Sequence, residues 1–116
     1  MSLDAVLARI DETLPEAMDR LFELLRIPSI STDPAYKGDC ARAADWLTGD
    51  LRGLGFDASS RPTPGHPMVV GHAGGDGAAG GRHLLFYGHY DVQPVDPLDL
   101  WKRDPFDPAI EDTPKG

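Results

Sequence analysis

The sequence predicts an α/β fold, in which helices pack on strands, because the spacing of its apolar residues changes along the chain. Apolar side chains recur at helical spacing over the first 55 residues, whereas short apolar runs between glycines and prolines follow. A hydrophobic content of 41% in 116 residues is sufficient for one modest core. We therefore expect two helices followed by about three strands and an ordered loop.

The first predicted helix covers residues 3–27. Six apolar residues form its stripe: Val6, Ile10, Leu14, Met18, Leu21 and Leu25. Thr13 and Glu16 are spaced as a capping box around Pro15, so we expect a break or restart of the helix near Thr13. The Ile27-Pro28 pair ends the helix, since a residue before proline avoids helical backbone angles.

The second predicted helix follows a loop, residues 29–38, that is rich in Ser, Thr, Asp, Pro and Gly. Asp39 is its expected N-cap, and Gly55 is the left-handed residue expected to end it. Its apolar stripe is formed by Cys40, Ala44, Leu47, Leu51 and Leu54. Cys40 is the only cysteine, which excludes an internal disulfide and a thiolate-built zinc site. We interpret it as a buried helix residue in preference to a nucleophile.

Three strands are predicted after Gly55, at residues 56–58, 68–70 and 84–87. The third, Leu84-Leu85-Phe86-Tyr87, is apolar throughout, which is typical of a strand buried on both faces. Residues 75–80 match the GxGxxG pattern but lead into a strand and not into a helix, so we interpret them as a flexible turn. From Asp91 to Gly116 an ordered loop is predicted, ending in a turn towards another strand.

The charge balance argues against two classes of partner. A net charge of -8 and a pI near 4.7 provide no basic cluster for phosphate backbones or anionic lipids, so neither nucleic acid nor a membrane is expected as a partner. The N-terminus lacks a basic stretch followed by an apolar run, and no segment has the length needed to cross a bilayer. These features predict a cytoplasmic protein.

The segment Gly88-His89-Tyr90-Asp91, at the end of the third apolar run, is the best candidate for chemistry. Side chains two apart on a strand project to the same face, so the Asp91 carboxylate can accept a hydrogen bond from one nitrogen of His89 and leave the other nitrogen for a metal. The spacing alone leaves open a purely structural His89–Asp91 pair. The other three histidines are interpreted as surface or strand-end residues without a metal: His66, His72 and His83.

Two longer segments resemble one family of enzymes. The first runs from Leu84 to Pro94 and continues with Trp101 and Asp104-Pro105-Phe106-Asp107-Pro108, and the second is Leu24-Leu25-Arg26-Ile27-Pro28-Ser29-Ile30-Ser31. Both resemble the co-catalytic zinc metallopeptidases grouped with carboxypeptidase G, succinyl-diaminopimelate desuccinylase, aminoacylase and the cytosolic dipeptidases. The first segment is most similar to the dipeptidase branch.

The resemblance implies that His89 is a ligand to one of two zinc ions and that Asp91 is the active-site residue that orients it. It also implies hydrolysis of the amide bond in dipeptide-like or N-acyl amino acid substrates, by a complete protein whose assembly as a homodimer is left open. Residues 1–116 would be the N-terminal part of an α/β/α catalytic domain, without the lid and dimerisation domain, the remaining metal ligands or the general base. We therefore expect this chain alone to be inactive.

Two other interpretations stay open from the residues. One is a self-contained α/β binding or interaction module in which His89 and Asp91 are incidental. The other is a hydrolytic triad of His89 and Asp91 with Ser29 or Ser31, although no Gly-x-Ser-x-Gly sequence supports it.

Overall fold

The computed structural model describes residues 1–74 and 81–112. The chain divides into two compact units, one formed by Met1–Arg26 with Pro97–Gly116 and the other by Ile27–Asp96. Across the described residues, no helix is both long and apolar enough to cross a membrane.

Two α-helices and one two-stranded sheet make up most of the regular structure in these residues, which confirms the α/β class. Helix α1 (Leu3–Leu25) lies in the first unit. The second unit contains helix α2 (Lys37–Gly53) and strands β1 (Asp57–Arg61) and β2 (Met68–His72). Short 3-10 helices lie at Pro34–Tyr36 and Leu98–Leu100.

Helix α1 is continuous, so the break predicted near Thr13 is wrong. The helix begins after Ser2, whose hydroxyl accepts a hydrogen bond from the backbone N–H of Ala5 at 3.2 Å. The Thr13 hydroxyl donates to the carbonyl of Arg9 at 2.8 Å, one turn back within the same helix, and therefore does not cap a new one. Pro15 removes one N–H from the hydrogen-bond ladder, yet the turns on both sides of it stay helical.

Helix α2 begins three residues earlier than predicted, with Tyr36 and not Asp39 at the N-cap position. A one-turn 3-10 helix leads into it, and the Asp33 carboxylate caps that turn by accepting from the N–H of Ala35 at 2.9 Å. Asp39 therefore lies in the first turn of α2 and is not its N-cap. Gly55 does end the helix, with a φ of 92° that favours glycine.

The core of the second unit lies on the side of α2 that packs against both strands. Four α2 residues are buried there: Cys40, Ala43, Ala44 and Thr48. The burial of Cys40 confirms its predicted position, whereas Leu54 is 58% exposed and does not belong to the buried stripe. Because most of these side chains are small, the backbone of the helix can approach the sheet closely.

Strands β1 and β2 are antiparallel, with Asp57 opposite His72 and Arg61 opposite Met68. They confirm the first two predicted strands, and both extend further than predicted. Gly71 faces α2, since a Cβ atom built there would lie 3.3 Å from the Leu51 side chain. The absence of a side chain at Gly71 therefore leaves room for the helix.

The third predicted strand is not formed. Leu84-Leu85-Phe86-Tyr87 lies in no helix or strand, and its four side chains are 75–92% exposed. A buried strand needs hydrogen-bonding neighbours and a layer packed on each face, and the part of the chain that the structure describes supplies neither to this segment. The GxGxxG match at residues 75–80, and residues 113–116 of the final turn, lie outside the described residues.

Candidate metal centre

Two short segments, residues 29–31 and 90–92, lie side by side in the second unit. An isolated parallel bridge pairs Ile30 with Val92, and the N–H of Val92 donates to the carbonyl of Ser29 at 3.0 Å. The Ser29 hydroxyl donates to the carbonyl of Tyr90 at 2.7 Å. Ser29 and Ile30 are only 2% and 3% exposed, so water competes little for these hydrogen bonds. The backbone on both sides of Asp91 is thereby held in place.

His89 and Asp91 form the contact that their spacing predicts. His89 Nδ1 lies 3.0 Å from Asp91 Oδ1 and 3.1 Å from the Asp91 carbonyl oxygen. Both oxygens are acceptors when the carboxylate is ionised, so Nδ1 must carry the proton. In the neutral ring, Nε2 then has a free lone pair. The His89 side chain is 73% exposed, which leaves the ring accessible to a ligand.

The Asp91 carboxylate also accepts a hydrogen bond on its second oxygen. The Ser31 hydroxyl donates to Oδ2 at 2.6 Å, a short distance that is typical of a hydroxyl bound to a charged carboxylate. This hydrogen bond, together with that of His89, holds the pKa of Asp91 below its usual range, against a smaller opposing effect of partial burial. Asp91 is therefore ionised at neutral pH and acts as an acceptor for both neighbours.

The loop between β1 and β2 is tied to the same segments by two hydrogen bonds. The Tyr90 hydroxyl donates to the carbonyl of Pro67 at 2.6 Å. The His66 ring donates through Nε2 to the carbonyl of Ser31 at 2.7 Å, since a carbonyl oxygen can only accept. Burial is the main cause that raises the pKa of Tyr90, so its hydroxyl stays a donor at neutral pH. His66, which we interpreted as a surface or strand-end residue, is half-buried and supports Ser31.

The remaining candidates have simpler positions. His72 ends β2, as predicted, whereas His83 starts no strand. Burial raises the pKa of the Cys40 thiol, and the negative charges of Asp91 and Asp39 raise it further. A thiol that is fully buried and held protonated is a poor nucleophile, so the interpretation as a packed helix residue stands.

His89 fits a zinc site as one ligand, and the described residues do not complete the set. An imidazole nitrogen with its second nitrogen bonded to a carboxylate is a common zinc ligand. Among residues 1–74 and 81–112, no group of three or more His, Cys, Asp or Glu side chains could hold a metal ion together. A catalytic zinc normally takes three protein ligands, and the described residues supply one candidate, His89.

The serine-triad interpretation is wrong for this geometry. A triad requires the serine hydroxyl to bond the histidine and the carboxylate to bond the other side of the ring. Here the Ser31 hydroxyl donates to Asp91 itself, and the Ser29 hydroxyl donates to a backbone carbonyl. Neither hydrogen bond is made to His89, the residue that would have to act as the general base of a triad.

Ser29 and Ser31 lie in one of the two segments that resemble the family, and we considered them as triad serines. From the sequence we assigned them no part in the candidate metal centre. The signal that could have found them is the Ser-Ile-Ser alternation, because alternate residues of an extended segment point to the same side. Both hydroxyls contact the second segment, one at Tyr90 and one at Asp91. No periodicity in the sequence shows that these segments, 60 residues apart, are neighbours.

Comparison with known proteins decides what the fold is related to. No protein-family model matches the chain. The Cys-Gly metallodipeptidase DUG1 of Candida albicans is 33% identical over 91% of this chain and 24% of its own length. The succinyl-diaminopimelate desuccinylase of Methylocella silvestris is 38% identical over 82% of this chain and 23% of its own length. The chain thus spans about a quarter of the length of the curated relatives it matches.

A solved structure of the dipeptidase Dug1p from Saccharomyces cerevisiae has the same fold. It superposes with a TM-score of 0.83 and 30% sequence identity, over 95% of this chain and 25% of Dug1p. Over the quarter of their length that it spans, the chain is related to these metallodipeptidases and desuccinylases. This confirms the resemblance found in the sequence. The comparisons do not favour the alternative of an unrelated binding module.

Proposed function

We propose that His89 is a ligand of a zinc ion in a metal-dependent amide hydrolase and that Asp91 is the active-site residue that orients it. The observation that carries this proposal is the hydrogen bond from His89 Nδ1 to Asp91 Oδ1, at 3.0 Å. It fixes the tautomer in which Nε2 is free to bind a metal and raises the basicity of that nitrogen. The same pair would have no such consequence if the proton were on Nε2.

The reaction proposed for the whole protein is hydrolysis of the amide bond in dipeptide-like or N-acyl amino acid substrates. Its support is the match to relatives named as a Cys-Gly metallodipeptidase and a succinyl-diaminopimelate desuccinylase. A bound pair of zinc ions would polarise the scissile carbonyl and lower the pKa of a water molecule. We further propose that the whole protein is cytoplasmic, acts on small peptide-like substrates and has neither nucleic acid nor a membrane as a partner.

In this proposal residues 1–116 are part of the catalytic domain, and the lid and dimerisation domain is not among them. Whether the whole protein forms a homodimer is left open. One imidazole ligand binds zinc weakly, and the described residues contain no group of three ligands. We therefore propose that this chain alone does not hydrolyse dipeptides. Zinc-dependent release of glycine from Cys-Gly by the purified chain would contradict this part of the proposal.

Zinc titration of the chain, followed by NMR of the histidine rings, tests the ligand assignment. The signals of His89 are expected to shift or broaden at lower zinc concentration than those of His83, an exposed histidine whose residue at i+2 is Leu85. The His89→Ala variant should lose this first binding event, and the matched His83→Ala variant should keep it. If zinc perturbs His83 first, or perturbs the two rings equally, the metal-ligand assignment of His89 is wrong.

A further inference from the structure

The Ser31 hydroxyl is the second anchor of the Asp91 carboxylate. One carboxylate oxygen, Oδ1, faces His89 at 3.0 Å, and the other, Oδ2, accepts from Ser31 at 2.6 Å. The Asp91 side chain is 43% exposed, so surrounding atoms alone do not fix its rotation. Because the two hydrogen bonds hold opposite ends of the carboxylate, they define the plane in which Oδ1 meets the imidazole.

Ser31 is itself held by contacts that do not involve Asp91. Its carbonyl accepts a hydrogen bond from His66 Nε2 at 2.7 Å, and the preceding residue, Ile30, pairs with Val92. The backbone that carries the hydroxyl is therefore held by contacts other than the hydrogen bond from Ser31 to the carboxylate. A hydroxyl held in this way can restrict the rotation of the Asp91 carboxylate, because its own position does not depend on that carboxylate.

We propose that Ser31 is a positioning residue for the metal ligand: through Asp91 Oδ2 it holds His89 in the orientation and tautomer that leave Nε2 free. This inference rests on the proposed function, in which Nε2 binds zinc. Ser31 does not contact the metal or the substrate in this scheme. It acts at one remove, through the carboxylate.

The nitrogen NMR signals of the His89 ring, recorded in the metal-free chain, test the proposal. In the wild-type chain we expect a protonated Nδ1 and an unprotonated Nε2. In Ser31→Ala the ratio of this tautomer to the other should fall by about threefold to tenfold, less than the direct loss of a hydrogen bond to a charged group would cause, because Ser31 acts on the imidazole only through the carboxylate. The two nitrogen signals should move towards each other accordingly.

Ser29→Ala is the matched control. Ser29 lies on the same segment, is more deeply buried, and donates its hydroxyl to a backbone carbonyl without touching Asp91. If Ser31 acts only by holding the two segments together, Ser29→Ala will change the His89 signals as much as Ser31→Ala does, and the proposal falls. The proposal is supported if the tautomer ratio of His89 falls further in Ser31→Ala than in Ser29→Ala.

A second pair of variants tests the proposal even where Ser31→Ala does not fold. Ser31→Thr keeps the hydroxyl, and Ser31→Val introduces a side chain of nearly the same shape as threonine but without a hydroxyl. Wild-type His89 signals in the threonine variant and altered signals in the valine variant support the proposal. Equal signals in the two variants overturn it.

Zinc chloride titration of the same variants separates this inference from the proposed function. If the tautomer ratio is unchanged in Ser31→Ala and zinc still binds His89, the positioning role is wrong and the ligand assignment stands. If the tautomer ratio falls in Ser31→Ala but zinc does not bind His89 in any variant, Ser31 does position the ring and the proposed metal function is wrong.

Discussion

Gly88 separates two stretches of chain that differ sharply in how they are held. On its C-terminal side, Tyr90, Asp91 and Val92 each form a hydrogen bond with the segment that contains Ser29 and Ser31. On its N-terminal side, residues 84–87 are apolar, 75–92% exposed and outside any helix or strand. The candidate metal ligand, His89, lies at this boundary.

The difference shows which part of the candidate metal centre is determined locally. Residues 90–92, the held stretch, form specific hydrogen bonds with residues 29–31 of the same unit, so the geometry of the held stretch follows from the residues described. The apolar stretch has the composition of a buried strand but no described neighbour to bury it. The matched relatives are about four times as long as this chain.

The largest expected effect on stability comes from introducing a carboxylate. We compare Ile30, in the segment that pairs with the held stretch, with Leu85, in the exposed apolar stretch. Ile30→Asp puts a carboxylate at a position that is 3% exposed and paired with Val92, and should lower the free energy of unfolding by about 3 kcal/mol or more. Leu85→Asp changes a side chain that is 92% exposed and should alter it by less than about 0.5 kcal/mol. Urea unfolding followed by circular dichroism measures both, and similar losses would show that residues 84–87 are packed.

The sequence predicted the elements whose signals are local. The helical spacing and Gly55 located α2, and the apolar runs located β1 and β2. The restart near Thr13 was wrong because a capping-box pattern also occurs inside a helix, where a threonine hydroxyl can bond the carbonyl four residues back. The strand at residues 84–87 was wrong because its pattern reports a preference for burial and does not supply a partner.

The site was predictable only to the extent that its residues are close in sequence. His89 and Asp91 are two apart, so their hydrogen bond followed from spacing. Ser31 contacts Asp91 from 60 residues away, and His66 contacts Ser31 from 35 residues away, so sequence spacing reveals neither contact. The metal role of His89 stays a prediction, because geometry shows a suitable ligand and binding has to be measured.

A smaller effect is expected from removing one clamp of the held stretch. Ser29→Ala leaves the Tyr90 carbonyl without its hydroxyl donor in a buried position and should lower the free energy of unfolding by about 1–3 kcal/mol. Thermal or urea unfolding provides the measurement. Leu85→Ser is the matched control on the exposed side and should have almost no effect. A Ser29→Ala chain as stable as the wild type would mean that the hydroxyl does not clamp the stretch.

The link to the β1–β2 loop should contribute less. Tyr90→Phe removes only the hydroxyl that donates to the Pro67 carbonyl and keeps the ring, so we expect a loss of about 1 kcal/mol in the free energy of unfolding. Tyr87→Phe removes the same atom from a side chain that is 91% exposed, and should change it by less than about 0.5 kcal/mol. Equal effects at the two tyrosines would remove the distinction between the held and the exposed stretch.

The smallest effect concerns pH and depends on a charge that only the held stretch carries. The hydrogen bonds of Ser31 and His89 lower the pKa of Asp91 in the folded chain, so folding is favoured by ionisation of this group. The resulting stability is fully present above the ordinary carboxyl pKa of about 4 and is lost as the pH falls through the lower folded value. Asp91→Asn should remove this part of the acid dependence, and Ser31→Ala should reduce it, because the hydrogen bond from Ser31 lowers the pKa of Asp91 most. Unfolding measured from pH 6 down to about pH 2 separates the variants, and superimposable profiles for wild type and Asp91→Asn would mean that the carboxylate is not bound as tightly as its two hydrogen bonds indicate.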